Sequence, residues 1–156
     1  MAEVKIIDAE KSHCVAVALQ IRHTDRDEVA ASCGLEPMEA LLSSLDRSTH
    51  CWAAMEGSEP VAIFGVGAVS LMSDEGAPWM LAVEGVERLS RHLVTLGRAY
   101  VPEMLNLHPR LANHVDARNA ASIRWLSRLG FTIDPPAPFG LAGLPFHRFT
   151  MEAPRV

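Results

Sequence analysis

Between residues 79 and 116 the chain reads as a strand, a long amphipathic helix and a second strand. Trp79–Val83 and Leu111–Asp116 are short β-rich runs. From about Gly85, the residues Val86, Leu89, Leu93, Leu96, Tyr100 and Met104 recur three or four apart, which gathers them on one helical face. Strands joined through a helical crossover run parallel, so this segment alone demands an α/β sheet. Pro102 lacks the amide hydrogen that the helical ladder uses, and the pattern predicts a kink or an end there.

Antiparallel pairing is expected around that unit. His50–Met55 and Val61–Val69 flank the turn Glu56-Gly57-Ser58-Glu59-Pro60 as a hairpin, and a polar loop, Ser73–Pro78, leads on to Trp79. Upstream lie a strand at Val4–Ile7, Asp8 as a helix cap and a helix over Ala9–Ile21. A charged turn, Arg22–Glu28, then leads to a short helix ending near Gly34, and a third helix follows Pro37 with Met38, Leu41, Leu42 and Leu45 on its apolar face. Downstream, Asn119 caps a helix that Gly130 stops, and Phe131–Ile133 begins a strand. Asp134–Gly140, with three prolines, is predicted to be irregular, and Leu144–Met151 closes the chain as a strand. The expected architecture is a single α/β domain over residues 1–156, with a mixed, mostly antiparallel sheet flanked by helices.

A chain of 156 residues, 49% of them hydrophobic, can bury its own core. Its net charge of −5 opposes a phosphate backbone, so a nucleic-acid partner is not expected. No apolar run approaches a membrane-spanning length or an export signal. Cys14, Cys33 and Cys51, odd in number and far apart, suit free thiols in a reducing cytoplasm.

Few side-chain constellations suggest chemistry. His13-Cys14, His50-Cys51 and Cys33 offer zinc-type ligands, but adjacent ligands do not close a tetrahedral site, so no metal is expected. Gly65-Val66-Gly67 lacks the third glycine and the following helix of a dinucleotide loop. His108 and His114 flank a proline-containing loop and are candidates for a partner contact. Phe139, Phe146 and Phe149, with the proline-rich loop, read equally as core or as an oligomer or particle contact.

The segment from Val115 through Asn119 to Leu129-Gly130-Phe131 resembles the penultimate strand and following helix of the GNAT acetyltransferases, in which an Asn precedes an apolar helix ending Leu-Gly-Phe. Phe64-Gly65-Val66-Gly67, Pro78-Trp79-Met80-Leu81, Arg124-Trp125-Leu126 and Gly143-Leu144-Pro145-Phe146-His147 also resemble a small phage and prophage family of GNAT-like internal virion or assembly proteins. The first resemblance implies a GNAT fold. If CoA binds, it implies cofactor contacts at Leu81, Val83 and Asn119, the last toward the pantetheine arm.

Set against the GNAT pattern, several parts are missing. The family's diphosphate loop corresponds to Ala82–Leu89, which has one glycine, Gly85, and places Glu84 and Glu87 where a diphosphate would lie. Arg88 and Arg91 would offset them only by turning to the same site. The position of the family's proton-donating tyrosine is Leu126, with Ser127 or Cys51 as replacements and the only tyrosine, Tyr100, on the core face of its helix. Glu56 and Glu84 are the base candidates, and no catalytic residue is assigned. These losses, with the phage resemblance, give the expectation of a non-catalytic phage protein without cofactor. It would act in virion assembly or as a virion component, with virion proteins or itself as partners, in the bacterial host cytoplasm or the particle. The alternative is an acetyl-CoA-dependent N-acyltransferase with an atypical cofactor loop.

Overall fold

The computed structural model describes residues 3–154. The order is β1 (Val4–Asp8), α1 (Lys11–Leu19), α2 (His23–Cys33), α3 (Pro37–Arg47), β2 (Ser48–Glu56), β3 (Glu59–Ala68) and β4 (Glu75–Ala82). A single 3-10 turn at Val86–Leu89 precedes α4 (Ser90–Leu107), followed by β5 (Arg110–Asp116), α5 (Ala120–Leu129), β6 (Thr132–Ile133), β7 (Ala137–Phe139) and β8 (Leu144–Glu152). The sheet runs β1-β2-β3-β4-β5-β8-β6, with β7 on the side of β8. Only β4 and β5 are parallel, as the helical crossover requires.

The two faces are covered differently. Helices α1 and α3 lie over β2 and β3 around Cys14, Val17, Leu41, Ala53 and Ile63. Helices α4 and α5 cover the other face around Val101, Met104, Leu111, Val115 and Leu126. Phe131, Phe146 and Phe149 are buried, so the particle-contact reading falls away for Phe146 and Phe149. No helix among the described residues is long and apolar enough to cross a membrane.

Local differences from the sequence pattern have physical causes. The first helix opens at Lys11 rather than Ala9, because the Glu10 N–H donates to His13 Nδ1 at 3.0 Å and the Glu10 side chain reciprocates. The charged stretch Arg22–Glu28 is no turn but the N-cap and first half of α2, with Asp25 buried on its inner face. Strand β4 begins at Glu75, inside the expected loop, since its register with β3 continues to Gly76↔Ala68. Helix α4 continues through Pro102, its buried Leu93, Val101 and Met104 holding both halves to the sheet. The proline-rich loop contains β7, where Pro138 faces Pro145 on an outer strand that tolerates missing donors.

The pivot of the sheet is Gly76, which forms with Leu111 the last β4–β5 pair. An added Cβ there would meet His108 Cγ at 2.6 Å, and the His108 ring is held by Thr49 Oγ1, 2.9 Å from its Nε2. Gly76→Ala is expected to destabilise the fold by about 1–3 kcal/mol through overpacking, as read from urea unfolding. An unchanged midpoint would mean that the ring moves aside freely.

Candidate active site

Past Gly76 and Leu111, β4 and β5 diverge. The Val83 N–H donates to the Val61 carbonyl at 3.0 Å, so odd residues of β4 bond to β3 and even residues point their backbone groups into the gap. At one end of the gap Asn113 stitches the strands, its Nδ2 donating to the Pro78 carbonyl at 2.8 Å while its Oδ1 accepts the His114 N–H at 2.8 Å. At the other end α2 supplies two carboxylates. Asp25 Oδ2 accepts the Ala82 N–H at 2.9 Å, and Glu28 Oε1 accepts the Asp116 N–H at 2.7 Å. Between these ties, the Met80 N–H and carbonyl face the gap with no partner among the described residues.

The gap opens into a cavity of about 390 Å³, walled mainly by apolar side chains and reaching Trp79, Tyr100, His114, Trp125, Leu126 and Phe139. Glu28 lines it. Burial pushes the Glu28 carboxyl up to about 7; the Asp116 N–H opposes this, and the charges of Asp25 and Asp116 add to it. The His114 ring stacks on Phe139 at 3.7 Å between centroids, and burial, then Arg148, hold its pKa below the usual value. His114, a candidate for a partner contact in the sequence, thus stands half-buried in the cavity wall. Its companion His108 is buried against Gly76 and Thr49.

A second cavity of about 320 Å³ shares Met80, Leu93, Ser122 and Trp125 with the first and is rimmed by Arg22, Arg124, Arg128 and Ser90. Arg22 is its anchor at 4% exposure. Its Nε lies 2.7 Å from Asp25 Oδ2, Nη1 donates to Glu87 Oε1 at 3.1 Å, and Nη2 donates to Ser122 Oγ at 3.0 Å. The two glutamates that argue against a diphosphate are thus accounted for. Glu84 turns outward to accept the His23 N–H at 3.1 Å, and Glu87 is paired with Arg22, which it shares with Asp25. Arg88 turns away to pair with Glu56, which removes Glu56 from the gap. The net positive charge at the rim comes from Arg124 and Arg128 on α5, since Asp25 and Glu87 more than balance Arg22.

The other sequence candidates are distributed as follows. The Leu81 side chain lines the larger cavity, and the Val83 N–H is held by β3. Asn119 caps α5, its Oδ1 accepting the Ser122 N–H at 3.3 Å, and lies at 2% exposure with Nδ2 unpartnered. Trp125 Nε1, on α5 between the two cavities, is also buried without a partner. Leu126 lines the cavity and Ser127 is exposed on α5. Cys51 is buried in the α1–α3 face, where burial pushes its thiol up to about 12. Tyr100 packs edge-on to Trp52 and Phe64. His13 serves the α1 cap and His50 lies 2.9 Å from Asp8, so neither joins its neighbouring cysteine in a ligand cluster.

Glu28 and Arg22 are the residues that sequence reasoning missed as site residues. The available signal was the i, i+3 spacing of Arg22, Asp25 and Glu28, which puts them on adjoining parts of one helical face.

Comparison with known structures places this architecture. The Salmonella typhimurium protein yncA, assigned as an acetyltransferase and solved with acetyl-CoA, shares 16% identity with it at a TM-score of 0.66, covering 98% of this chain and 95% of that one. A protein assigned as a phosphinothricin N-acetyltransferase shares 16% identity at a TM-score of 0.71, covering 98% and 100%. Spermidine N-acetyltransferase from Vibrio cholerae, solved with CoA and spermine, shares 10% identity at a TM-score of 0.68, covering 96% and 95%. No family model matches the sequence, and no curated protein matches it. The fold is that of the GNAT acetyltransferases, a single α/β domain with a mixed, mostly antiparallel sheet.

These neighbours overturn two expectations. A non-catalytic virion role and the absence of a cofactor do not stand against neighbours that are acetyltransferases, two of these three solved with acetyl-CoA or CoA. The physical reason is in the loop: the acidic residues that would repel a diphosphate are turned away or paired. The phage resemblance receives no support from them.

Proposed function

We propose that this chain is an acetyl-CoA-dependent N-acetyltransferase acting on an amine, with Glu28 as general base. The observation that carries the reading is the gap between β4 and β5, which joins an arginine-rimmed cavity to one holding a carboxyl poised near neutrality. The cofactor fits the residues present. Unpartnered Met80 backbone groups and the orphaned Trp125 Nε1 line the gap as donors and an acceptor for a pantetheine arm. Arg22, Arg124, Arg128 and Ser90 surround the place for its diphosphate. Leu81 contributes wall on this reading, and Asn119 fixes the first turn of α5.

When bound, acetyl-CoA would supply the activated acetyl group: its C–S bond would break as the C–N bond to the amine forms, and the one proton the amine gives up, held first by Glu28, would balance the one the departing thiolate takes up. Glu28 receives the proton of the attacking amine. A carboxyl near 7 is half ionised at neutral pH and basic enough to hold that proton, which an ordinary carboxylate is not. The apolar walls keep competing water from the reacting centre.

The test is calorimetric titration with acetyl-CoA beside a CoA-release assay over a broad amine panel. Ligand at about 100 times its dissociation constant should stabilise the fold by about 2.7 kcal/mol. Neither heat nor a thermal shift at millimolar acetyl-CoA would sink the reading. The same titration checks the loop. Glu87→Ala removes an anion beside the phosphate place and frees Arg22 Nη1, and CoA should bind about three- to tenfold tighter, in line with a half-exposed ion pair. Weaker binding would show that Glu87 supports the loop instead of competing with the ligand.

A further inference from the structure

We infer that the acceptor is a small zwitterion, an amine that also carries an anionic group, and that Arg47 receives the anion. The inference rests on the acetyltransferase reading and deepens it.

Of the described residues that line the larger cavity, only two carry charge, Glu28 on α2 and Arg47 at the end of α3. Glu28 is tied to the Asp116 N–H, while Arg47 is exposed and makes no ion pair among the described residues. The rest of the cavity lining is mainly apolar, and its Trp79 is held in place. Ser48, which follows Arg47, accepts the Trp79 Nε1–H at 2.8 Å and donates to the Ser44 carbonyl at 2.6 Å. Gly65 leaves room for that indole, since a Cβ there would lie 3.2 Å from Trp79 Nε1 and 2.7 Å from the His50 carbonyl oxygen. Phe139, stacked on His114, also lines the cavity.

This arrangement discriminates by charge. A polyamine would bring a second cation into a cavity whose one carboxylate is already assigned to the reacting amine, and would set that cation near Arg47. A zwitterion of the amino-acid kind matches both charged residues, with its apolar part against Trp79 and Phe139. The group transfer is unchanged: the acceptor nitrogen gains the acetyl group and gives its proton to Glu28.

The experiment compares the full chain and Arg47→Gln on matched acceptors, namely leucine, methionine and phenylalanine, their carboxamides, and spermidine. Acetyl-CoA titration of both proteins runs alongside. The wild type should prefer each acid to its amide by at least about tenfold in kcat/KM, as a charge-assisted contact would give. Arg47→Gln should erase that preference by raising KM for the acids, with kcat and the amide values little changed. Equal use of acid and amide, preference for spermidine, or a preference that survives Arg47→Gln would each overturn the inference. Binding of acetyl-CoA with no acid turned over would do the same and leave the acetyltransferase reading standing. If acetyl-CoA does not bind, that reading fails and this inference fails with it.

Discussion

Glu28→Gln should lower turnover by about 100- to 10,000-fold while leaving acetyl-CoA affinity within about twofold, and should make the protein more stable at pH 8. The amide keeps an oxygen to accept the Asp116 N–H, so the 2.7 Å tie between α2 and β5 persists, but it takes no proton from an amine. The pH profile of the wild type should rise through about 7 as the carboxyl ionises, and the variant's residual rate should not follow that step. Stability runs the other way. The folded carboxyl titrates at about 7 against an ordinary value of 4.5, so the folded state holds the extra proton between those values and loses stability as pH rises through that window. Full ionisation of the folded carboxyl costs up to about 3.5 kcal/mol, since each tenfold change in proton affinity is worth about 1.4 kcal/mol. Asp25, raised by burial, changes with pH in the same sense, so the difference between wild type and Glu28→Gln is the quantity that isolates Glu28. Urea unfolding at pH 5 and pH 8 measures it. Activity retained within tenfold would move the base elsewhere, and a gap between the two proteins that does not widen with pH would contradict a half-buried Glu28 that ionises in the folded state.

The fold is legible in the sequence where local chemistry and periodicity agree. The apolar spacing of α4 between two β-rich runs forces the parallel pair, and Asn119 and Gly130 mark both ends of α5, the latter at φ +99°. Proline at the start of α3 and Gly34 after α2 do the same for those helices. The site is less legible because its groups are defined by pairing. Whether odd or even residues of β4 face the gap depends on its register with β3, which a single residue of slip would invert. Asp25 and Glu28 sit in a charged stretch that reads as solvated, and only the strand ends Ala82 and Asp116 reveal what they are for. Glu84 and Glu87 flank and enter a 3-10 turn whose side-chain directions the sequence does not dictate. The electrostatic effect of Glu87 is decided by Arg22, 65 positions earlier in the chain. Counting charges along the loop therefore gives the wrong sign for the site.

Arg22→Met should destabilise the fold by about 3–5 kcal/mol, the typical loss when one member of a buried ion pair is removed. Arg22 and Asp25 are 4% and 1% exposed, so neither retreats to water when its partner goes. Burial pushes the Asp25 carboxyl up, and the Arg22 guanidinium is the strongest influence opposing it. Without the guanidinium that carboxyl should shift further upward and protonate, keeping an oxygen for the Ala82 N–H at the expense of its charge. The folded variant then holds a proton that the unfolded chain releases, so its deficit should be larger at pH 8 than at pH 5. Charge removal and lost tethering separate in a second variant. Arg22→Met with Asp25→Leu removes both charges of this pair but forfeits the Ala82, Glu87 and Ser122 bonds, and a coupling analysis should find it more stable than Arg22→Met alone. If the double variant is no better, the loss comes from the tethers that join α2 to the Glu87 turn and α5. In that case Arg22 is chiefly the clamp that keeps the diphosphate-side cavity in shape, and CoA binding should fall in both variants alike.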